Sequence, residues 1–117
     1  VAGKGELLVE ILRRELEAEA GMTAGLLRRE LPWRERLLTW IGEVLALPPE
    51  RSRVALELGR DAARLEPGLR DSFRAEYRAR FLEPLRAFLA EGETRGELAP
   101  GAAEFGLWFL LGALVPF

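Results

Sequence analysis

The feature that most constrains this chain is an apolar stripe that repeats every four residues between Leu69 and Leu89. Its members are Leu69, Phe73, Tyr77, Phe81, Leu85 and then Phe88 or Leu89. Residues four apart lie on one face of an α-helix, so the stripe predicts a helix of about five turns or more, from about 69 to 95. Pro84 lies within it. Because proline lacks an N–H and clashes with the carbonyl four residues earlier, we expect a kink near residues 80–83.

No part of the chain has the pattern of a β-strand. Ala, Leu, Glu and Arg dominate the composition and favour helices, and no stretch alternates apolar and polar residues as a half-buried strand does. We expect Gly21 to end the first helix, Thr23 to cap a short one and Pro32 to open the next. Apart from the short helix after Thr23, the predicted helices span about 5–20, 32–47, 49–64, 69–95 and 100–117. The sequence therefore predicts one all-α domain, an antiparallel bundle of five to six helices.

Residues 88–100, FLAEGETRGELAP, mark the end of the long helix. Glycine takes the left-handed backbone conformation that stops a helix more readily than other residues, so Gly96 is the expected stop. Leu98 then folds back over the last turn, and Pro100 opens the final helix. The charged residues between them form the solvated end of the long helix, and the charge-free segment that follows has to be buried against something.

The composition excludes most kinds of catalytic site. The chain has no Cys and no His, so it lacks a thiol nucleophile, the commonest general base and the commonest transition-metal ligand. Its few hydroxyl residues have no histidine to activate them, and Glu57 and Asp61, one turn apart, are the only hint of a metal site. We therefore expect no enzyme, no cofactor and no metal. The formal net charge of −2 argues against nucleic-acid binding by these residues alone.

Two further absences concern where the protein works. Asn and Gln do not occur, and one Lys stands against sixteen Arg, which fits either a thermophile protein or a base bias of the genome. No signal peptide is visible, and the longest charge-free run, residues 105–117, is too short to cross a bilayer, which takes about twenty residues. We expect a cytoplasmic protein that does not enter a membrane.

The second half of the chain carries a pattern that resembles a known family. Residues 66–114 read EPGLRDSFRAEYRARFLEPLRAFLAEGETRGELAPGAAEFGLWFLLGAL: a turn that opens a long striped helix, an end of the form G-x-x-R-G-E-L, and a helix rich in Gly, Ala and Leu. Residues 3–12, GKGELLVEIL, look like the junction between a DNA-binding headpiece and a connecting helix. Together these segments resemble the C-terminal region of TetR-family transcriptional regulators.

The resemblance implies that residues 1–117 form a ligand-binding and dimerisation domain. The family's N-terminal helix-turn-helix headpiece is missing, and so is the last helix of the usual dimer-forming pair. DNA would be contacted only through the missing headpiece, apart from Lys4, which sits near a position that often touches a phosphate in the family. The alternative for Lys4 is an ordinary solvated lysine at a helix start.

The resemblance also implies a pocket for a small-molecule effector between the helices near 32–47, 49–64 and 69–96. The ligand-binding candidates are large apolar or aromatic residues on these helices and on the last one: Trp40, Leu58, Phe73, Tyr77, Phe81 and Trp108. Core packing is the alternative for each of them. If the helix at 49–64 lines the pocket, Arg53 or Arg60 would hold an acidic group of the ligand; otherwise both belong to a solvated face.

The last segment is the best interaction candidate. From Phe105 to Val115 it is apolar on every side apart from its glycines, and such a helix must be buried. Because one small domain can hardly cover its whole circumference, we expect part of it to meet a second copy in a two-fold homodimer. The dimer-interface candidates are Phe105, Trp108, Phe109 and Gly112. The alternative is a central core helix.

The sequence thus predicts the regulatory domain of a TetR-like regulator. It would bind a small, largely apolar effector and form a homodimer, so that the effector alters DNA binding by the absent headpiece. Two alternatives stay open. One is a helical protein–protein interaction module with no ligand, and the other is a membrane-attached helical protein whose last segment continues past Phe117.

Overall fold

All the regular secondary structure in the described part of the chain is helical. The structure is a computed structural model that describes residues 3–48, 50 and 60–114. Its elements are α1 Lys4–Leu27, α2 Trp33–Leu45, α3 Pro67–Tyr77, the π-helical segment Arg78–Leu82, α4 Glu83–Thr94 and α5 Ala102–Leu114. The expected all-α class is confirmed. Residues 60–63 are also helical, but most of the predicted helix at 49–64 lies outside the described residues.

Contacts between the helices fix their directions. The indole N–H of Trp40 reaches Thr23 and the guanidinium of Arg36 reaches the Leu27 carbonyl, so α2 runs antiparallel to α1. α3, the π-helical segment and α4 form one continuous helix over residues 67–94, termed the long helix. It runs parallel to α1, and α5 packs antiparallel on its second half, where Arg86 meets Glu104.

The core lies between α1, α2, the long helix and α5. The largest fully buried side chains come from all four: Trp40, Leu12, Leu85, Leu89 and Leu107. Burying a side chain of this size stabilises the fold by roughly 2 kcal/mol. No helix in the described ranges is both long enough and apolar enough to span a membrane.

The expected break in the first helix at Gly21 is wrong. α1 continues through Gly21 to Leu27, and within the described residues positive φ angles occur only at Gly96 and Gly101. Thr23 does not cap a new helix; it is buried, and its hydroxyl accepts a hydrogen bond of 2.9 Å from Trp40 Nε1. A contact with α2 therefore holds the segment in a helix although glycine and threonine are weak helix formers.

The long helix is irregular just before Pro84, where a kink is expected from the sequence. There the long helix widens into a π-helical turn over Arg78–Leu82, in which the Glu83 N–H donates to the carbonyl of Arg78 five residues earlier. A strict four-residue repeat drifts by roughly 40° per step around an α-helix, because four residues exceed one turn of 3.6. A wider turn offsets part of this drift and keeps both Phe81 and Leu85 in the core.

The expected end of the long helix at Gly96 is also confirmed. Gly96 has a φ of +76°, and the N–H groups of Glu97 and Leu98 both donate to the Gly92 carbonyl, at 2.8 and 3.1 Å. Leu98 packs against the core as expected. The final helix starts at Ala102 rather than Pro100, because Gly101, with a φ of +85°, adds a second left-handed residue after the proline.

Candidate functional site

The outer face of α5 exposes three large aromatic side chains. Ala103, Leu107 and Leu111 face the core at four-residue spacing and are buried. On the opposite side Phe105 is 74% exposed, Trp108 55% and Phe109 63%. These three residues and the exposed Gly112 are termed the aromatic face. All four predicted interface residues therefore lie together on one surface.

A polar chain holds the aromatic face in place. Arg86 of α4 donates from Nε and Nη2 to the two carboxylate oxygens of Glu104, at 3.1 Å each. The same carboxylate accepts a hydrogen bond of 3.1 Å from Trp108 Nε1. Phe105 and Phe109 stack one turn apart, with ring centroids 6.2 Å from each other. Trp108 is thus held in one orientation, and Phe105 and Phe109 stack on each other. Fixed rings would lose less entropy on contact with a partner.

The predicted ligand-binding residues fall into separate places. Trp40 is buried against Thr23, and Trp108 lies on the aromatic face. Phe73, Tyr77 and Phe81 follow each other on the long helix, with centroid distances of 6.4 and 5.4 Å. Phe73 and Phe81 are buried and Tyr77 is half-buried, so these rings contribute to the core. Leu58 lies outside the described residues, as does Arg53.

Tyr77 has the clearest electrostatic perturbation in the described residues. Burial raises the pKa of its phenol well above the usual value, and the negative charge of Glu19 raises it further. The hydroxyl therefore stays neutral at any physiological pH. A phenol that keeps its proton cannot act as a general base.

A second cluster, which the sequence reasoning missed, joins α2 to α4. Trp33 stacks on Phe88 at 5.1 Å between centroids, and its Nε1 donates to the Phe88 carbonyl at 2.8 Å. A Cβ added to Gly92 would lie 2.3 Å from the Trp33 ring, so only glycine fits there. Trp33, Arg36, Phe88 and Gly92 are termed the Trp33 cluster.

Arg36 links this cluster to the end of α1. Its guanidinium is buried, with Nη1 donating to the Leu27 carbonyl at 3.0 Å and Nη2 lying 3.4 Å from a Glu91 carboxylate oxygen. It also lies over the Phe88 ring, 5.3 Å from the centroid. An arginine in a helical sequence is ordinarily read as a solvated residue, so periodicity offered no signal for this role.

A groove of about 550 Å³ lies between α1 and α4. Small or apolar residues form its middle: Ala20, Gly21, Ala24, Pro84, Ala87 and Phe88. The ion pair of Glu17 with Arg80, at 3.3 Å, stands at one end, and Arg28 and Glu91 stand at the other. This space is termed the α1–α4 groove. None of the five predicted ligand-binding residues that the structure describes lines it.

A second cavity, of about 670 Å³, lies at the start of α1. The exposed Lys4 is part of its lining, together with Arg64 and the acidic residues Glu6, Asp61 and Glu66. The charges are mixed in sign, so this cavity has no evident preference for an anion. Among the described residues no group of three or more potential ligands could hold a metal ion.

Comparisons with models of protein families, with curated proteins and with solved structures found no match. The functional argument therefore depends on the geometry of the aromatic face and the α1–α4 groove.

Proposed function

We propose that this chain is the regulatory domain of a TetR-like transcriptional regulator, which forms a homodimer through the aromatic face and responds to a small, largely apolar effector. The aromatic face is the observation that carries the proposal. Three adjacent exposed rings, Phe105, Trp108 and Phe109, are unusual on a monomer, and aromatic residues are enriched where proteins associate.

A second copy is the occupant that fits this surface. From residue 105 to residue 114 the helix carries no charge, so two copies meet without like-charge repulsion. Phe105 and Gly112 lie two turns apart on the same side, which gives a stripe that can pair with itself about a two-fold axis. Gly112 lets the partner helix approach closely at the end of the stripe, while the rings fill the remainder.

In this function the effector acts by favouring one arrangement of the helices over another, since a ligand that binds both equally shifts nothing. α1 would carry the change towards the DNA-binding headpieces. Two headpieces that read half-sites about 34 Å apart lose affinity when a tilt changes their separation. Any contact with DNA belongs to those headpieces.

Sedimentation equilibrium over a wide concentration range tests the pairing. The wild-type chain is expected to dimerise, and Trp108→Ala and Phe109→Ala are each expected to raise the dimer dissociation constant at least tenfold, because central aromatic residues dominate interface energies. Leu38→Ala is the matched control: Leu38 is a similarly exposed apolar residue, but it lies on α2. A wild-type chain that stays monomeric at high concentration would refute the proposal.

The second candidate is a helical interaction module with no effector. The full burial of Trp40 and the burial of Phe73 and Phe81 favour it, because the expected ligand-binding rings already pack in the core. Under this function the aromatic face covers a different protein. The same sedimentation experiment separates the two functions, since the module remains monomeric alone.

A further inference from the structure

We propose that the α1–α4 groove binds a small amphipathic carboxylate, with its aliphatic chain along the middle of the groove and its carboxylate at the Arg28 end. This inference deepens the proposed function and rests on it, because it gives the effector a place and a chemical class. It also moves the ligand away from the rings that the sequence pointed to, which belong to the core.

The shape of the groove suits an extended aliphatic chain. It runs along α1 from Glu17 to Arg28, about 16 Å at 1.5 Å per residue. Its middle is open because Ala20, Gly21 and Ala24 carry almost no side chain, and no atom lies within 4 Å of a Cβ added to Gly21. An extended groove that is apolar in its middle and charged only at its ends favours a molecule that is apolar along its length and charged at one end.

Charge distinguishes the two ends. The end with Arg28 and Glu91 is called the near end, and the opposite one the far end. At the far end Glu17 and Arg80 neutralise each other. At the near end the carboxylate of Glu91 is already paired with two arginines, Arg36 at 3.4 Å and Arg95 at 2.7 Å.

Arg28 joins this near end with no ion pair to any described residue, which leaves an excess of positive charge there. Of the last carbonyls of α1, which give that end of the helix a negative potential, the one of Leu27 accepts a hydrogen bond from Arg36. A carboxylate at this end gains a guanidinium partner, and guanidinium groups suit its planar geometry.

The wall of the groove supplies an independent argument. Arg80 belongs to the π-helical segment, and Pro84 lies two residues after its last residue, Leu82. π-helical turns inside longer helices occur frequently at functional sites. Here the turn places a proline ring, which is apolar and rigid, along the channel. Ligand binding and the irregularity of the long helix thus share one location.

Isothermal titration calorimetry with decanoate tests the inference, with decanol as the uncharged match. Ala87→Leu fills the groove, and Ala90→Leu is its control, since Ala90 is exposed on the same helix outside the groove. Arg28→Gln removes the guanidinium, and Arg29→Gln does the same at the next residue, which does not line the groove. We expect Ala87→Leu and Arg28→Gln to weaken decanoate binding at least tenfold, both controls to stay within twofold, and decanol to bind at least fivefold more weakly than decanoate.

Absence of decanoate binding, or binding that Ala87→Leu leaves unchanged, would overturn the inference. Equal binding of decanol and decanoate would overturn the carboxylate assignment. Sedimentation of the same samples keeps the two proposals apart. If the chain dimerises but does not bind decanoate, the pairing stands and the groove site is refuted. If it stays monomeric but binds decanoate in the groove, the groove site stands and the dimeric regulator is refuted.

Discussion

The three tryptophans of this chain lie in two regions, and in both regions each indole N–H has a hydrogen-bond acceptor. Trp33 and Trp40 lie in the interior, where their indole N–H groups donate to the Phe88 carbonyl and to Thr23. Trp108 donates to Glu104 within its own helix and leaves its ring exposed. Every indole has a hydrogen-bond partner, so the difference lies in the ring faces. Two are covered by the same chain, and the third remains available to another molecule.

The comparison shows that an aromatic residue in a helical sequence does not by itself indicate a pocket. Trp33 packs on Phe88 and against Gly92, Trp40 contacts Thr23, and both rings are buried, as core residues are. The exposed ring is held in one orientation by a carboxylate that is itself held by Arg86. Order combined with exposure makes Trp108 and its neighbours the candidate interface.

The largest expected effect comes from filling the space that Trp33 occupies. In Gly92→Ala the new methyl group collides with the Trp33 ring, and we expect the free energy of unfolding to fall by about 3 kcal/mol. Urea denaturation measures the loss, and near-ultraviolet circular dichroism reports the displaced indole. Gly21→Ala is the control, because Gly21 faces open space within a helix and alanine there should stabilise by about 1 kcal/mol. Equal stability of the two variants would contradict the close contact.

The next effect concerns the hydrogen bond of Trp40. Thr23→Val keeps the shape of the side chain but leaves the buried indole N–H without an acceptor, so we expect a loss of about 2 kcal/mol in urea denaturation. Thr23→Ser retains the hydroxyl and should lose less. If serine proves as damaging as valine, packing of the threonine methyl group and not the hydrogen bond holds α1 against α2.

A smaller effect depends on pH and concerns Tyr77, which lies between the two regions in its degree of burial. The unfolded phenol ionises near pH 10, whereas the folded group has a raised pKa and keeps its proton. The contribution of Tyr77 to the free energy of unfolding is fully present below about pH 10. It is lost as the pH rises further, because the unfolded state then releases a proton that the folded state retains. Tyr77→Phe should make the decline in stability above pH 10 shallower, as followed by urea denaturation. Identical slopes would exclude the phenol as the cause.

The smallest effect is expected at Trp108. In dilute solution, where the chain is monomeric, Trp108→Ala should change the free energy of unfolding by less than about 0.5 kcal/mol, since the ring is surface-exposed. At high concentration the same variant should be less stable than the wild type, because pairing stabilises only the wild type to its full extent. A large loss at every concentration would show that the ring supports the monomer.

Local features of the sequence were sufficient for the helical class and the left-handed stop at Gly96, and they placed an irregularity, expected as a kink, before Pro84. Each of these depends on residues within a few positions of one another, through periodicity, through the conformational freedom of glycine or through the missing N–H of proline. The last segment is apolar on every side, so its spacing could not show which residues are exposed; the candidates Phe105, Trp108, Phe109 and Gly112 followed from its apolar character and the family resemblance.

Contacts between distant residues could not be predicted in this way. α1 continues past Gly21 because Thr23 is held by Trp40, a partner on another helix. The packing of Trp33 on Gly92 and the burial of Arg36 likewise join residues more than fifty positions apart or reverse the usual preference of a charged side chain. The α1–α4 groove could not be predicted, because alanines at helical spacing indicate a helix and give no sign of a groove beside it.

The π-helical turn at Arg78–Leu82 has a consequence for how insertions and deletions would be tolerated. Its wider winding accommodates one residue more than a regular helix of the same height, so the faces of α3 and α4 stay aligned across it. Shortening the turn by a single residue would leave a plain helix with both flanks still pointing correctly. Rewinding it without removing a residue would instead rotate everything downstream by roughly 100° and swing Gly92 away from Trp33. These five residues therefore act as a torsional spacer that sets the angular phase between the two halves of the longest helix.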